Sequence, residues 1–145
     1  MTFTIRGICP LLQVFDMPTS LAFYRDVLDF GIVSTAPAAD AVQRDNFGWV
    51  WLRRDGTELM LNTVYDPDGE RPPAPDAARV AAHDDTVLYI GCPDVDAAYE
   101  HLRTRGVSVG TPTVAHYGMK QLYVKDPDGF SLCFQWSARD DGGTV

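Results

Sequence analysis

Cysteine is scarce in this sequence. Cys9, Cys92 and Cys133 are widely spaced and form no CxxC pair. An odd, sparse set does not make a disulfide framework. Long apolar runs are missing as well: none approaches the roughly 18 residues that a membrane-crossing helix needs. The first residues, MTFTIRGICPLLQVFDMP, lack a basic start, a long apolar core and a small-residue cleavage site. No signal peptide is therefore expected, and the cytoplasm is the expected location. Positive charge is in deficit, with 12 Lys+Arg against 20 Asp+Glu and a formal net charge of −8. Phosphate binding needs a basic face, so nucleic acid is excluded as an expected partner. There is no glycine-rich phosphate loop of the P-loop or Rossmann type. No Ser/His/Asp grouping can be inferred from local sequence.

What is present is ordinary globular material: 145 residues, 46% hydrophobic and 22% charged. A chain of this length buries roughly 68–70% of its unfolded surface, enough for a real core. Its main feature is an internal repeat. Trp51–Leu61 and Tyr123–Phe134 each read as an apolar strand, a charged Asp-Gly turn and an alternating strand. Asp-Gly between alternating runs is a strong hairpin signal, because Gly accepts φ > 0 without steric cost. Gly56 and Gly129 are 73 residues apart, about half the chain.

The earlier parts of each half also match. Leu11–Val14 reads as a strand ended by Asp16, followed by a helix from Pro18 through Leu28. Leu21, Tyr24, Val27 and Leu28 form its apolar stripe. Gly31 and a strand from Ile32-Val33 come next. In the second half, Val87–Ile90 is the strand and Asp94 the cap. The helix Val95–Arg105 carries Val95, Ala98, Tyr99 and Leu102 on one face, Gly106 stops it, and Val107–Val109 is the next strand. Residues 1–64 and 86–137 are thus two modules of strand, helix and three strands. Residues 65–85 join them as a Pro-rich linker with a short helix at Asp76–Ala82, and 138–145 form a frayed tail.

A duplicated unit with these motifs resembles the vicinal oxygen chelate superfamily, which includes glyoxalase I, extradiol dioxygenases and bleomycin-resistance proteins. The residues that carry the resemblance are Leu12–Asp16 with Ser20–Phe30, Asp94–Tyr99, Tyr117-Gly118-Met119 and Asp126–Phe130. The resemblance spans about residues 5–136. It implies an α+β fold in which two tandem βαβββ modules form an open, eight-stranded, barrel-like sheet with a concave cavity. It also implies pairing into a homodimer. In metal-dependent members, two His/Gln/Glu-type ligands come from each half. Alignment by motif puts those positions at Cys9, Met60, Val87 and Cys133. Hard and borderline divalent ions want oxygen or nitrogen donors, and Val87 has no donor at all. No metal and no cofactor are therefore expected. Cys9, Met60 and Cys133 could form a soft site for Cu(I) or Zn, or simply line a cavity as medium apolar residues.

Alternation along the strands then fixes the cavity wall. Its first-module members are Leu11, Gln13, Trp49, Trp51, Met60 and Asn62, with Glu58 as the one acid. Its second-module members are Tyr89, Tyr123, Cys133 and Gln135, with Gln121 also turned inward. Leu88, Ile90 and Cys92 fall on the helix side and are expected in the core. His116, beside Tyr117, is expected at the cavity mouth as a ligand contact. His116 and Glu58 are weak catalytic candidates. His83 and His101 are expected in water, as are Arg53 and Arg54. Aromatic area with a few neutral polar groups is how small-molecule pockets are made, and Trp and Tyr faces suit planar or cationic molecules. The expected function is metal-independent binding of a planar, partly apolar small molecule, as in the bleomycin-resistance branch. The alternative is a metal-dependent lyase, isomerase or dioxygenase of the same superfamily. A scaffold protein with a vestigial cavity is a third reading.

Overall fold

The computed structural model describes residues 2–65 and 71–140. Residues 66–70 of the expected linker and 141–145 of the expected tail lie outside it. The chain divides into two compact units, Met1–Pro72 and Pro73–Val145.

The first unit runs β1 (Leu11–Gln13), α1 (Met17–Leu21), wider π-helical turns over Ala22–Val27, β2 (Gly31–Ala36), β3 (Trp49–Arg54) and β4 (Thr57–Asn62). Its sheet order is β1-β4-β3-β2. β1 runs parallel to β4, and the other neighbours are antiparallel. The second unit opens with α2 (Ala77–Ala82) and continues β5 (Val87–Gly91), α3 (Val95–Thr104), β6 (Thr113–Val114), β7 (Met119–Lys125) and β8 (Ser131–Ser137). Its order, β5-β8-β7-β6, repeats the first. The architecture is α+β, two βαβββ modules with two four-stranded sheets. The eight expected strands are present, four in the sheet of each unit.

Three aspartates set the helix starts. Asp16 accepts from the Thr19 amide, Asp94 from the Ala97 amide and Asp76 from the Ala78 amide. Each satisfies a backbone donor that the first turn leaves unpaired. Burial of Asp16 alone would raise its carboxyl. Hydrogen bonds from Thr19 and Arg71 outweigh that and hold it below the usual carboxylate range. Arg71 also lies over the Phe15 ring.

The first helix departs from the expected regular stripe. The Leu28 amide donates to the Phe23 carbonyl, five residues back. Each such turn takes in an extra residue. Phe23 is thereby buried with Leu21, Tyr24 and Leu28, while Val27 is only half-buried. Phe23 and Phe30 both pack edge-on against Tyr24. On the sheet, Leu12, Val50, Leu52, Leu59 and Leu61 are all buried. In the second unit Val95 and Leu102 of α3 are buried, as are Leu122, Val124 and Leu132 of β7 and β8. In both sheets the alternate side chains form the opposite face.

Four other expectations need correction. Val107–Val109 is not a strand, and the paired segment is Thr113–Val114. The Val107 amide instead donates to the Leu102 carbonyl and closes the end of α3. Leu88, Ile90 and Cys92 are half-buried rather than core, because β5 is an edge strand. His83 is not in water: its ring stacks on Phe130 at 3.9 Å, and Nδ1 is 2.6 Å from the Asp128 carbonyl oxygen. The end of the expected linker is thus a strap on the β7–β8 turn, reinforced by the Lys125–Asp84 ion pair.

The two Asp-Gly turns are built differently. In the first, Asp55 takes the left-handed conformation (φ 50°) and Gly56 does not. In the second, Asp126 accepts from the amides of Asp128 and Phe130, and Gly129 takes φ 85°. A Cβ on Gly129 would sit 2.9 Å from the Val80 carbonyl oxygen, whereas one on Gly56 would meet nothing within 4 Å. Gly129→Ala should therefore cost about 1–3 kcal/mol through backbone strain and displacement of α2. Gly56→Ala should stay within about 0.5 kcal/mol. Urea unfolding of both variants checks this, and equal effects would refute the assignment.

Candidate functional site

Strand pairing sorts the open face of the first sheet into rows. Trp51 stands opposite Met60, and Met60 opposite Leu11. Trp49 stands opposite Asn62, and Asn62 opposite Gln13. All six expected first-module residues share this face. Trp49, Trp51, Met60, Asn62 and Gln13 are half-buried, and Leu11 is exposed.

The row beyond holds Arg53 opposite Glu58. Arg53 donates from Nε and Nη2 to Glu58 Oε1 at 3.0 and 2.8 Å. Its guanidinium carbon lies 5.2 Å from the centre of the Trp51 ring. Arg53 was expected only to face water. It is half-exposed, but it also covers an indole face of the site. Glu58 is engaged by that arginine rather than free. Arg54 turns the other way and donates to the Leu28 carbonyl at 2.8 Å, closing the π-helical turns. Two buried polar atoms of the first face have no partner among the described residues: Trp51 Nε1 and Asn62 Oδ1.

The second sheet repeats the geometry with other chemistry. Tyr89 and Tyr123 stand on either side of Cys133. Their hydroxyls meet at 3.2 Å, and Cys133 below has no exposed surface. The hydrogen bond with Tyr89, followed by burial and the nearby Cys133, pushes the Tyr123 phenol above its ordinary range. Burial likewise pushes the Cys133 thiol up. In the next row Gln121 stands opposite Gln135. Gln121 Nε2 donates to Gln135 Oε1 at 3.0 Å and to the Tyr117 hydroxyl at 2.8 Å. Tyr117 was missed as a member of this face, although its loop was singled out. What sequence does not show is that its hydroxyl turns back to a buried amide. His116 is exposed, stands outside these rows and packs edge-on against Tyr117 at 5.0 Å. His101 is half-buried rather than fully solvated.

The positions that the motif alignment assigns to metal ligands offer no carboxylate or imidazole. In the first unit they are Cys9 and Met60, and in the second Val87 and Cys133. Burial, and then the charge of Glu58, raise the Cys9 thiol. Val87 offers nothing, and Met60 only a thioether. Among the described residues no group of three His, Cys, Asp or Glu side chains is placed to hold an ion. No helix among them is long and apolar enough to cross a membrane.

The family model for the glyoxalase/bleomycin resistance protein/dioxygenase superfamily matches residues 8–134. The chain belongs to this superfamily. Its fold is that of solved superfamily structures. A bleomycin resistance determinant encoded on transposon Tn5 is 20% identical, with 92% of this chain and 98% of that one covered and a TM-score of 0.67. The bleomycin-binding protein of bleomycin-producing Streptomyces verticillus, complexed with copper(II)-bleomycin, is 20% identical over 92% and 97% of the chains, with a TM-score of 0.62. Lactoylglutathione lyase from Agrobacterium tumefaciens is 18% identical over 89% and 92%, with a TM-score of 0.60. No curated protein sequence matches this chain. The superfamily fold thus accounts for the strand rows.

The tyrosine pair gives a direct test of the second face. Tyr123 is stabilised in its neutral form, so its contribution to stability is full below pH ~10 and is lost as pH rises through the raised value. In Tyr89→Phe the Tyr123 phenol should ionise at lower pH than in the parent protein, read by ultraviolet difference titration. An unchanged titration curve would show that the pair does not hold in solution.

Proposed function

We propose that this superfamily member binds a planar, partly apolar small molecule on its open sheet faces, without a metal or other cofactor, and sequesters or carries it. The observation that carries the reading is the composition of the first face. Trp49, Trp51, Met60 and Leu11 supply apolar area beside a buried donor and a buried acceptor that have no partner among the described residues. Apolar walls with a few convergent polar groups are the usual make-up of a small-molecule site. The fold shared with two proteins that bind or resist bleomycin supports it. The donor set at the metal positions argues against the metal-dependent alternative. Arg53 already supplies a cation over Trp51, so a neutral ring gains more there than a cationic one.

Two measurements test this. Untagged protein purified without chelator should carry no stoichiometric metal, even after dialysis against Fe, Ni, Zn, Mn and Cu(I). In the same preparation a panel of planar aromatic compounds should include ones that quench tryptophan fluorescence, with the quenching abolished in Trp51→Ala. About one metal ion per site would overturn the metal-free reading and return the enzyme alternative. A panel with no binder would overturn the small-molecule reading.

The reading includes a cytoplasmic homodimer. An open apolar face is costly to leave in water, and Leu11, Tyr89 and Tyr123 are 49, 54 and 47% exposed. Light scattering should give twice the 16.0 kDa chain mass. A strict monomer at micromolar concentration would remove the dimer.

A further inference from the structure

The repeat allows the two faces to be compared position by position. Met60 corresponds to Cys133, Asn62 to Gln135, Trp49 to Gln121 and Trp51 to Tyr123 in the matching strand rows. In the second module the polar groups of these rows satisfy one another. Gln135 accepts from Gln121, and Tyr123 bonds to Tyr89. In the first module the equivalent groups do not. The Trp51 indole N–H and the Asn62 amide oxygen are both buried and both without a partner among the described residues.

Such atoms are expensive, because each has lost water and gained nothing. Native structures carry few of them, and they concentrate where function requires them. Here they are complementary in kind, one donor and one acceptor. Trp51 is opposite Met60, and Asn62 lies two residues further along the same strand. Diagonal neighbours of this kind have Cα atoms roughly 7–8 Å apart. Both atoms are occluded in this structure, so one small planar molecule reaches them by turning the two side chains toward the open side. Met60 and Leu11 lie in the row of Trp51 and Trp49 in that of Asn62, so apolar surface borders the pair on the same face.

From this we infer that Trp51 and Asn62 are the specificity-determining pair of the first module, selecting a ring amide: a planar heterocycle whose carbonyl accepts from Trp51 and whose N–H donates to Asn62. The inference rests on the small-molecule reading of this face and narrows it to a chemical class. A site built to hydrogen-bond a ligand rejects an analogue that lacks the group, because the buried atom is then left unpaired. A hydrocarbon of equal size should bind poorly for that reason.

The probes are 2-quinolone, its N-methyl derivative and naphthalene, followed by tryptophan fluorescence. The quinolone should bind at least about 10-fold more tightly than the N-methyl compound, which keeps the acceptor and loses the donor. Asn62→Leu should erase that difference. Trp51→Phe keeps a ring and should erase the advantage of the N-methyl compound over naphthalene.

A ligand-free arm is independent of any probe. Asn62→Leu should raise the thermal midpoint by about 2–4 °C, since it removes an unpaired buried acceptor at similar size. An unchanged or lowered midpoint would show that the amide already has a partner such as ordered water, and would overturn the inference. Equal binding of the quinolone and its N-methyl derivative would also overturn it, while leaving the small-molecule reading intact. Failure of all three probes to bind would overturn it too. The wider panel of planar compounds would then decide the small-molecule reading separately.

Discussion

Every side chain on the two open faces owes its direction to the central strands β4 and β8. Each is hydrogen-bonded on both sides, to a parallel first strand and to an antiparallel third strand. A central strand cannot slip by one residue without moving its buried leucines to the other face. Leu59 and Leu61 hold β4 in register, and Leu132 holds β8. With that side fixed, Met60 and Asn62, and Cys133 and Gln135, have only the open side left. The face chemistry is thus a by-product of core packing in position, though not in composition.

This is why so much of the site was legible in sequence. Period-two alternation, anchored by the ligand positions that the superfamily resemblance implies and supported by the 73-residue repeat, assigns Leu11, Gln13, Trp49, Trp51, Met60 and Asn62 to one face of the first sheet and Tyr89, Tyr123, Cys133 and Gln135 to one face of the second. Asp16, Asp76 and Asp94 mark helix starts for an equally local reason. What alternation cannot supply is the choice of partner. Arg53 has water, Glu58 and the Trp51 ring within reach, and sequence pattern does not rank them. His83 meets Phe130 only after residues 45 and more apart have been brought together by the second sheet. The π-helical turns were illegible for a different reason. Apolar spacing of three and four residues along the chain does not encode an extra residue per turn.

The two modules share a scaffold and have diverged in how their polar groups are settled. The second closes its own accounts, Gln with Gln and Tyr with Tyr. Among the described residues the first leaves a buried indole N–H and a buried amide oxygen without a partner, and it places an Arg–Glu pair at the border of its aromatic row. The two copies of each strand row thus differ in whether their polar groups pair among the described residues.

The tyrosine bridge over Cys133 also bears on chemical durability. Thiolate is the form of cysteine that attacks electrophiles and is oxidised, and a buried thiol with a raised ionisation point supplies little of it. Whatever reaches the second face meets two phenol hydroxyls before it meets sulfur. The sulfur of that face is therefore poorly reactive toward electrophiles in solution.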